Sequence, residues 1–182
     1  KKVEVLLSSY NGEKYIERQI ESILNQEGVE VHLTIRDDGS EDTTVSIVEQ
    51  LIKKYPSKIS LVEGGNCGYR KSFLRLLSLG YGADFYAFSD QDDIWFPNKL
   101  IIAVNMLETV PETIKLYVSN LILVDENLRV IGTTTFKKEY SSLKSDFARH
   151  RFAGCTYVFS NELKKLAERI NLLTIPNSVC PS

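Results

Sequence analysis

The stretch VEVLLSSYNGEKYIERQIESILNQEGVEVHLTIR, residues 3–36, holds the alternation that decides the fold. Residues 3–8 are a short apolar run that ends in polar residues, as a strand does on reaching a sheet edge. Asn11-Gly12 marks a turn. In residues 14–25, Ile16, Ile20, Ile23 and Leu24 recur at helical spacing and make one apolar face. Residues 29–36 then alternate, with Val29, Val31, Leu33 and Ile35 on one side, the pattern of a second strand.

The same rhythm continues outward. Residues 43–55 carry a helical stripe of Val45, Val48, Leu51 and Ile52, with Ser40 and Asp42 as cap-type residues before it. Residues 59–62 read as a third strand. Gly64-Gly65-Asn66-Cys67-Gly68 is a glycine-rich turn leading into a helix over 69–79. Residues 85–88 make a fourth strand, and Pro97 opens a helix running to about Thr109. Strand–helix alternation at this spacing predicts an α/β layer structure with a mostly parallel central sheet flanked by helices. Beyond residue 115 the rhythm changes. Residues 116–124 read as one strand, Asp125-Glu126-Asn127 as a turn and residues 130–135 as a returning strand. Residues 156–159 read as a short strand and residues 161–171 as a helix. Residues 137–151 are polar and show no clear period.

Composition narrows the classes. The 182 residues carry 22 basic and 24 acidic side chains, a formal charge of −2, with 43% hydrophobic residues. This matches a globular chain of about one domain rather than a disordered or disulfide-rich one. The charges are interspersed, so a nucleic-acid partner held by a basic surface is not expected; the pair Lys137-Lys138 reads as solvated. No apolar run is long enough to span a bilayer. The three cysteines, Cys67, Cys155 and Cys180, are widely spaced with no C-x-x-C, which argues against a cysteine-rich zinc site or disulfide framework. A reducing cytoplasm is the simplest compartment. His32 falls in a strand and reads as structural, and His150 is assigned no chemistry.

In open α/β sheets, ligands sit outside the carboxyl ends of the strands. Strand one ends in Ser8-Ser9-Tyr10-Asn11, strand two in Asp37-Asp38-Gly39-Ser40, strand three in the glycine turn followed by Arg70 and Lys71, and strand four in Ser89-Asp90-Gln91-Asp92-Asp93. Five aspartates and two basic residues thus converge on one edge. Three carboxylates within four residues repel one another unless a positive group sits among them. Carboxylate oxygens suit a hard cation such as Mg²⁺ or Mn²⁺, alongside substrate phosphates. The plainer alternative is a solvated acidic loop that caps the next helix. Asp37–Ser40 is either a turn with a helix cap or an acceptor for a base or ribose. The glycine turn either connects elements or lets backbone approach a diphosphate. No G-x-G-x-x-G follows strand one, and neither a Walker loop nor a G-x-S-x-G elbow is present.

These blocks resemble a family 2 glycosyltransferase of the GT-A fold, a Rossmann-like nucleotide-diphospho-sugar transferase, over nearly the whole chain. Residues 5–16, Ser22-Ile23-Leu24-Asn25-Gln26, Asp37-Asp38-Gly39-Ser40, Asn66-Cys67-Gly68, Ser89–Leu100 and Gly154-Cys155-Thr156 stand in the family's order. The block Asp90-Gln91-Asp92-Asp93-Ile94-Trp95 is similar to the D-x-D block of bacterial rhamnosyltransferase-like members. The resemblance implies that Ser8, Tyr10 and Asp38 hold the nucleotide base, Tyr10 through its ring. Arg70 or Lys71 would lie near the base or diphosphate. Asp90 would approach the ribose or sugar and share the metal with Asp92. Asp93 and Trp95 would shape the donor-sugar pocket, and Gly154 and Cys155 the acceptor side.

The implied reaction is metal-dependent, inverting transfer from a dTDP- or UDP-sugar, with a lean toward dTDP-rhamnose. The acceptor would be a saccharide or lipid-linked molecule in bacterial surface-polysaccharide synthesis. The setting would be the cytoplasm, with peripheral association at the inner membrane face. Residues 1–182 would form a single GT-A domain, residues 1–100 its nucleotide-binding half and 101–182 its acceptor-side half. The family's general base, an aspartate in a short acidic or His-Asp pair, has no match here. The only acidic residues after Cys155 are Glu162 and Glu168, so the base is expected beyond Ser182. Two alternatives stand beside this. One is a nucleotide-sugar-binding fragment that lacks the base and is inactive. The other is a phosphotransferase with Asp90 as nucleophile, disfavoured because the acidic motif follows the fourth strand.

Overall fold

The computed structural model describes residues 1–79, 82–134 and 153–174. The readings on residues 137–151, His150 and Cys180 lie outside the described residues. Strands β1 (Lys2–Ser9), β2 (Glu30–Asp37), β3 (Ile59–Glu63) and β4 (Phe85–Ser89) alternate with helices α1 (Ile16–Leu24), α2 (Thr44–Lys54) and α3 (Tyr69–Leu79), and α4 (Lys99–Glu108) follows. Then come β5 (Leu116–Val118), β6 (Ile122–Val124), β7 (Val130–Thr133), a 3₁₀ turn Gly154–Thr156, β8 (Tyr157–Ser160) and α5 (Asn161–Thr174).

Six strands form the central sheet in the order β3-β2-β1-β4-β8-β5. The pairings β2–β3, β1–β2 and β1–β4 are parallel, whereas β8 runs antiparallel to both β4 and β5. The order reverses around β1, so β1 and β4 meet at a topological switch point, where such sheets bind ligands at their carboxyl ends. Period-two alternation divides the sheet's side chains between two cores. Val3, Val5 and Leu7 pack with Ile16, Ile20 and Ile23 of α1, Val48 and Leu51 of α2, and Leu100, Ala103 and Val104 of α4. Leu6 and Tyr86 face the other way, toward Leu76 and Leu77 of α3, with Leu163 and Ala167 of α5 beside them. Each fully buried aliphatic side chain contributes about 1.5–3 kcal/mol, so the α1 stripe alone anchors that helix firmly.

Four sequence expectations need correction. The run 116–124 is not one strand: β5 joins the central sheet, while β6 pairs with β7 in a separate hairpin. The break falls at Ser119, whose amide turns to the carbonyl of Thr156, and at Leu121, whose amide bonds Thr134 Oγ1. Pro97 precedes α4 without opening it; the N-cap is Asn98, and the Pro97 carbonyl instead accepts from the Glu27 amide. Ser40 does not cap α2, because its hydroxyl donates to Asp37 and accepts from the Asn11 amide. Asp42 does bind the first turn, through the Thr44 amide and hydroxyl. Finally, α1 starts at Ile16, since residues before it form a turn closed on the Gly12 carbonyl.

One buried polar group shapes the α3 side. Glu4 is 1% exposed and accepts from Thr34 Oγ1 at 2.6 Å, with His32 Nδ1 at 2.9 Å. His32 is therefore structural, as its place in a strand suggests. Desolvation holds the Glu4 carboxyl above its ordinary range, partly offset by Thr34 and His32. A groove of about 720 Å³ lined by Lys2, Glu30, His32 and Lys58 lies here, at the amino ends of the strands and away from the switch point.

Candidate active site at the carboxyl edge of the sheet

The parallel register sets Ser9 beside Asp37 and Leu7 beside Ser89, so the loops after β1, β2 and β4 leave the sheet at one level. The Asp37-Asp38 loop is fully knitted. Asp37 accepts from Ser9 Oγ, Ser40 Oγ and the amides of Gly39 and Ser40. Asp38 is 3% exposed and forms a buried ion pair with Arg36; its oxygens also take the amides of Cys67 and Gly68. Burial opposes its ionisation, yet the Arg36 guanidinium and the Cys67 amide and thiol bring its pKa below the usual carboxylate range. Gly64 makes room for this pair, since a Cβ there would stand 2.6 Å from Arg36 Nη2. Ser72 on α3 is fully buried and joins Ser8 Oγ, at 2.6 Å, to Arg36.

The loop after β4 differs. One ligand-capable atom each from Asp90, Asp93 and Cys155 lies within 4.8 Å of the others. Burial first, then their mutual repulsion and that of Asp92, raises the pKa of Asp90. Burial also raises that of Asp93. Oδ2 of Asp93 is buried without a hydrogen-bond partner. Desolvation and the two carboxylates push the Cys155 thiol up, so it stays protonated and unreactive. Lys99 closes the floor. Its ammonium donates to the Cys155 carbonyl at 2.7 Å and stands 4.1 Å over the Trp95 ring. Burial lowers its pKa to about 8 against the pull of the Asp93 and Asp90 carboxylates.

Several expected site residues thus sit together: Ser8, Tyr10, Asp38, Asp90, Asp92 and Asp93 on one edge, with Gly154 and Cys155 brought to the acidic loop by the 3₁₀ turn before β8. Asp92 is exposed and lies outside the group that Asp90 forms with Asp93 and Cys155. Trp95 is 5% exposed and packs in the α1/α4 core, so it reaches the site through Lys99. Arg70 and Lys71 are exposed at the start of α3, Arg70 lying against Tyr69. Arg36, Gln19, Gln91 and Lys99 were not singled out from sequence. With its amide turned to satisfy every neighbour, the fully buried Gln19 accepts from Ser89 Oγ and Trp95 Nε1 and donates to the Asp93 carbonyl, which fixes the acidic loop from below. Strand alternation was the available signal for Arg36: it sets that residue opposite Ile35, facing α3.

The protein-family model described as "Glycosyl transferase family 2" matches residues 4–167. The dTDP-rhamnosyl transferase RfbG of Shigella flexneri is 36% identical over 163 residues, covering 86% of this chain and 54% of the relative. Among solved structures, S. aureus TarS 1–349 in complex with UDP superposes with a TM-score of 0.67 at 23% identity, over 99% of this chain and 52% of that one. The mannosyltransferase PcManGT of Pyrobaculum calidifontis, in complex with GDP-Man and Mn²⁺, gives 0.65 at 20% identity, over 97% of this chain and 48% of that one. The chain spans about half the length of each of these proteins. Among the described residues, no helix is long and apolar enough to cross a membrane. The fold is GT-A, and the chain belongs to glycosyltransferase family 2.

Proposed function

We propose that this glycosyltransferase moves a sugar from a dTDP- or UDP-sugar, with dTDP-rhamnose favoured, to a saccharide or lipid-linked acceptor, with a divalent cation at the acidic loop. The observation that carries the reading is the buried, unpartnered Oδ2 of Asp93 within a carboxylate group at the switch point. Such an atom costs about 1–3 kcal/mol when left unpaired, and a hard cation supplies the missing partner. The donor set fits Mg²⁺ or Mn²⁺. Asp90 and Asp92 are assigned to the metal, and Asp93 adds a third carboxylate beside Asp90. When bound, such a cation neutralises the charge that develops on a departing diphosphate.

The chain's own residues supply the rest. The exposed Tyr10 ring offers a face for the base beside Ser8. Asp38, spent on internal bonds, serves by fixing the 66–68 turn against β2, and Arg70 and Lys71 offer charge beyond that turn. Lys99 compensates part of the acidic charge and ties Cys155, with Gly154 beside it on the acceptor side, to the donor side.

Thermal stability measured against a panel of nucleoside diphosphates and nucleotide sugars, with and without Mn²⁺, tests this. A Mn²⁺-dependent rise with dTDP or UDP compounds is expected, and no rise with any of them would overturn the reading. Donor binding without turnover is the second reading. It is favoured by the absence, among the described residues after Cys155, of an acidic side chain at the cluster: Glu168 pairs with Lys164 and Glu162 is exposed. Turnover confined to a C-terminally longer protein would support it for this chain.

A further inference from the structure

The acidic loop contains one residue with no obvious part in metal chemistry. Gln91 stands between Asp90 and Asp92 in sequence, yet its carboxamide is engaged across at the loop after β1. Its Oε1 accepts from the Tyr10 amide at 2.8 Å, and its Nε2 donates to the Tyr10 carbonyl at 3.0 Å. The side-chain amide therefore acts as a short piece of neighbouring strand, saturating both backbone groups of one residue. Gly12 completes the fit. A Cβ built there would stand 2.7 Å from the Gln91 Cδ, so the glycine leaves the space that the carboxamide occupies.

The other flank of the same loop is held by residues around the start of α2. The Asn11 amide donates to Ser40 Oγ, and its side chain accepts from the Glu41 amide. The Gly12 amide donates to Thr44 Oγ1, and the Glu13 carboxylate takes the Thr43 amide and hydroxyl. Asn11 sits at φ +47°, a left-handed conformation that asparagine tolerates better than most residues and that these bonds stabilise. Tyr10 is thus pinned through its backbone on both sides, while the residue remains 44% exposed. An aromatic ring whose backbone is fixed and whose face is open is a preorganised stacking surface.

We infer that Gln91 is a positioning residue for the nucleotide base: its carboxamide clamps the Tyr10 backbone and so presets the ring on which the base stacks. The inference rests on the reading of Tyr10 as the base platform and adds a residue to it. It gives the second residue of the Asp90-Gln91-Asp92-Asp93 block a task separate from metal binding. It also makes one loop serve both ends of the donor, the carboxylates at the diphosphate and Gln91 at the base. Without the clamp the platform is set only part of the time, and apparent affinity falls by that fraction.

The test is a double-mutant cycle on binding of dTDP and UDP without metal, read by calorimetry, so that loss of a metal site cannot imitate the effect. Tyr10→Ala is expected to weaken binding by roughly fivefold to a hundredfold, the usual range for one base on one ring. Gln91→Leu, which keeps the bulk and removes both hydrogen bonds, is expected to weaken it by about tenfold. In the Tyr10→Ala background Gln91→Leu is expected to add nothing. Gly12→Ala breaks the clamp from the other side and should reproduce the Gln91→Leu loss without adding to it. Amide exchange at Tyr10 should quicken in both clamp variants while the melting temperature stays near that of the parent. If Tyr10→Ala weakens binding but Gln91→Leu does not, or if their losses add, the inference is wrong and the platform stands. If Tyr10→Ala changes nothing, the platform reading falls and takes the inference with it.

Discussion

Two acidic loops leave the same edge of the sheet, and they are built on opposite principles. In the loop after β2, Asp37 and Asp38 meet amides, hydroxyls and a buried guanidinium, and the pKa of Asp38 is lowered. In the loop after β4, Asp90 and Asp93 meet each other, the influence of Asp92 and a protonated thiol, and their pKa values are raised. Lys99 compensates only in part, since burial weakens its own charge. The first loop is electrostatically complete without a ligand. The second holds more negative charge than the protein neutralises, which is the signature of a functional site. Residue type alone does not separate them; both are aspartate runs after an apolar strand.

The largest effect should come from damaging the finished loop. Arg36→Met leaves Asp38 charged and buried, and removing one partner of such a pair costs about 3–5 kcal/mol. Urea unfolding should register that loss, with Asp38→Asn in the Arg36→Met background recovering part of it. A cost below about 1 kcal/mol would mean that the Asp37-Asp38 loop is no more self-sufficient than its neighbour. The second effect belongs to the unfinished loop. Mn²⁺ at a hundredfold excess over its dissociation constant should stabilise the parent by about 2.7 kcal/mol. It should do little for Asp93→Asn. Equal stabilisation of both would remove Asp93 from the cation site.

Much of this contrast could be anticipated from the sequence, though unevenly. Up to residue 100 the elements declare themselves locally: β1 and β4 read as apolar runs because both of their faces are buried, and the helices read as stripes because one face is. The carboxyl-edge placement of the aspartates then follows from topology. Past residue 115 the apolar run 116–124 concealed a change of sheet, since β5 and β6 are both short and the break at Ser119–Leu121 depends on partners some 13 to 37 residues away, Thr134 and Thr156. The site residues divide the same way. Local blocks pointed to Asp38, Asp90 and Tyr10. That Asp38 would be spent internally depended partly on Arg36, two residues away, and partly on a turn contributed by Cys67 and Gly68, a distant contact that no local pattern encodes. Trp95 belongs to the core because Lys99 stands over its ring and Gln19 takes its ring nitrogen, again through tertiary packing.

Protons sharpen the comparison further. A carboxyl whose folded pKa is raised stabilises the fold most fully below its unfolded pKa, and that contribution is lost as pH rises through the folded value. Asp90 and Asp93 follow this rule, as does Glu4 at the far end of the sheet. Asp38 and Asp42 have the opposite sign: their contribution is present above the unfolded value and lost as pH falls through the lowered one. In metal-free protein, Asp93→Asn should therefore become stabilising relative to the parent as pH rises from about 4 toward neutrality, by about 1 kcal/mol, the low end of the cost of an unsatisfied buried group. Chemical unfolding at a series of pH values would reveal it. A difference that does not change with pH would show that Asp93 is already neutralised by its surroundings.

The smallest effect on stability separates the two ways of assigning the metal. Asp92 is exposed, so Asp92→Ala should change metal-free stability by less than about 0.5 kcal/mol. Its sign should be stabilising, because Asp92 acts on both Asp90 and Asp93 as a like charge. The spacing of the acidic block favours Asp92 as a ligand, whereas the packing groups Asp90 with Asp93. Mn²⁺ titration of Asp92→Ala and Asp93→Ala, followed by the paramagnetic signal of the free ion, distinguishes them. Loss of affinity in both would mean that the exposed carboxylate joins the buried pair when the cation arrives. Retention in Asp92→Ala with loss in Asp93→Ala would place the cation on the buried pair alone. The exposed aspartate would then act only through its charge, and its removal would raise nucleoside diphosphate affinity slightly in metal-free protein.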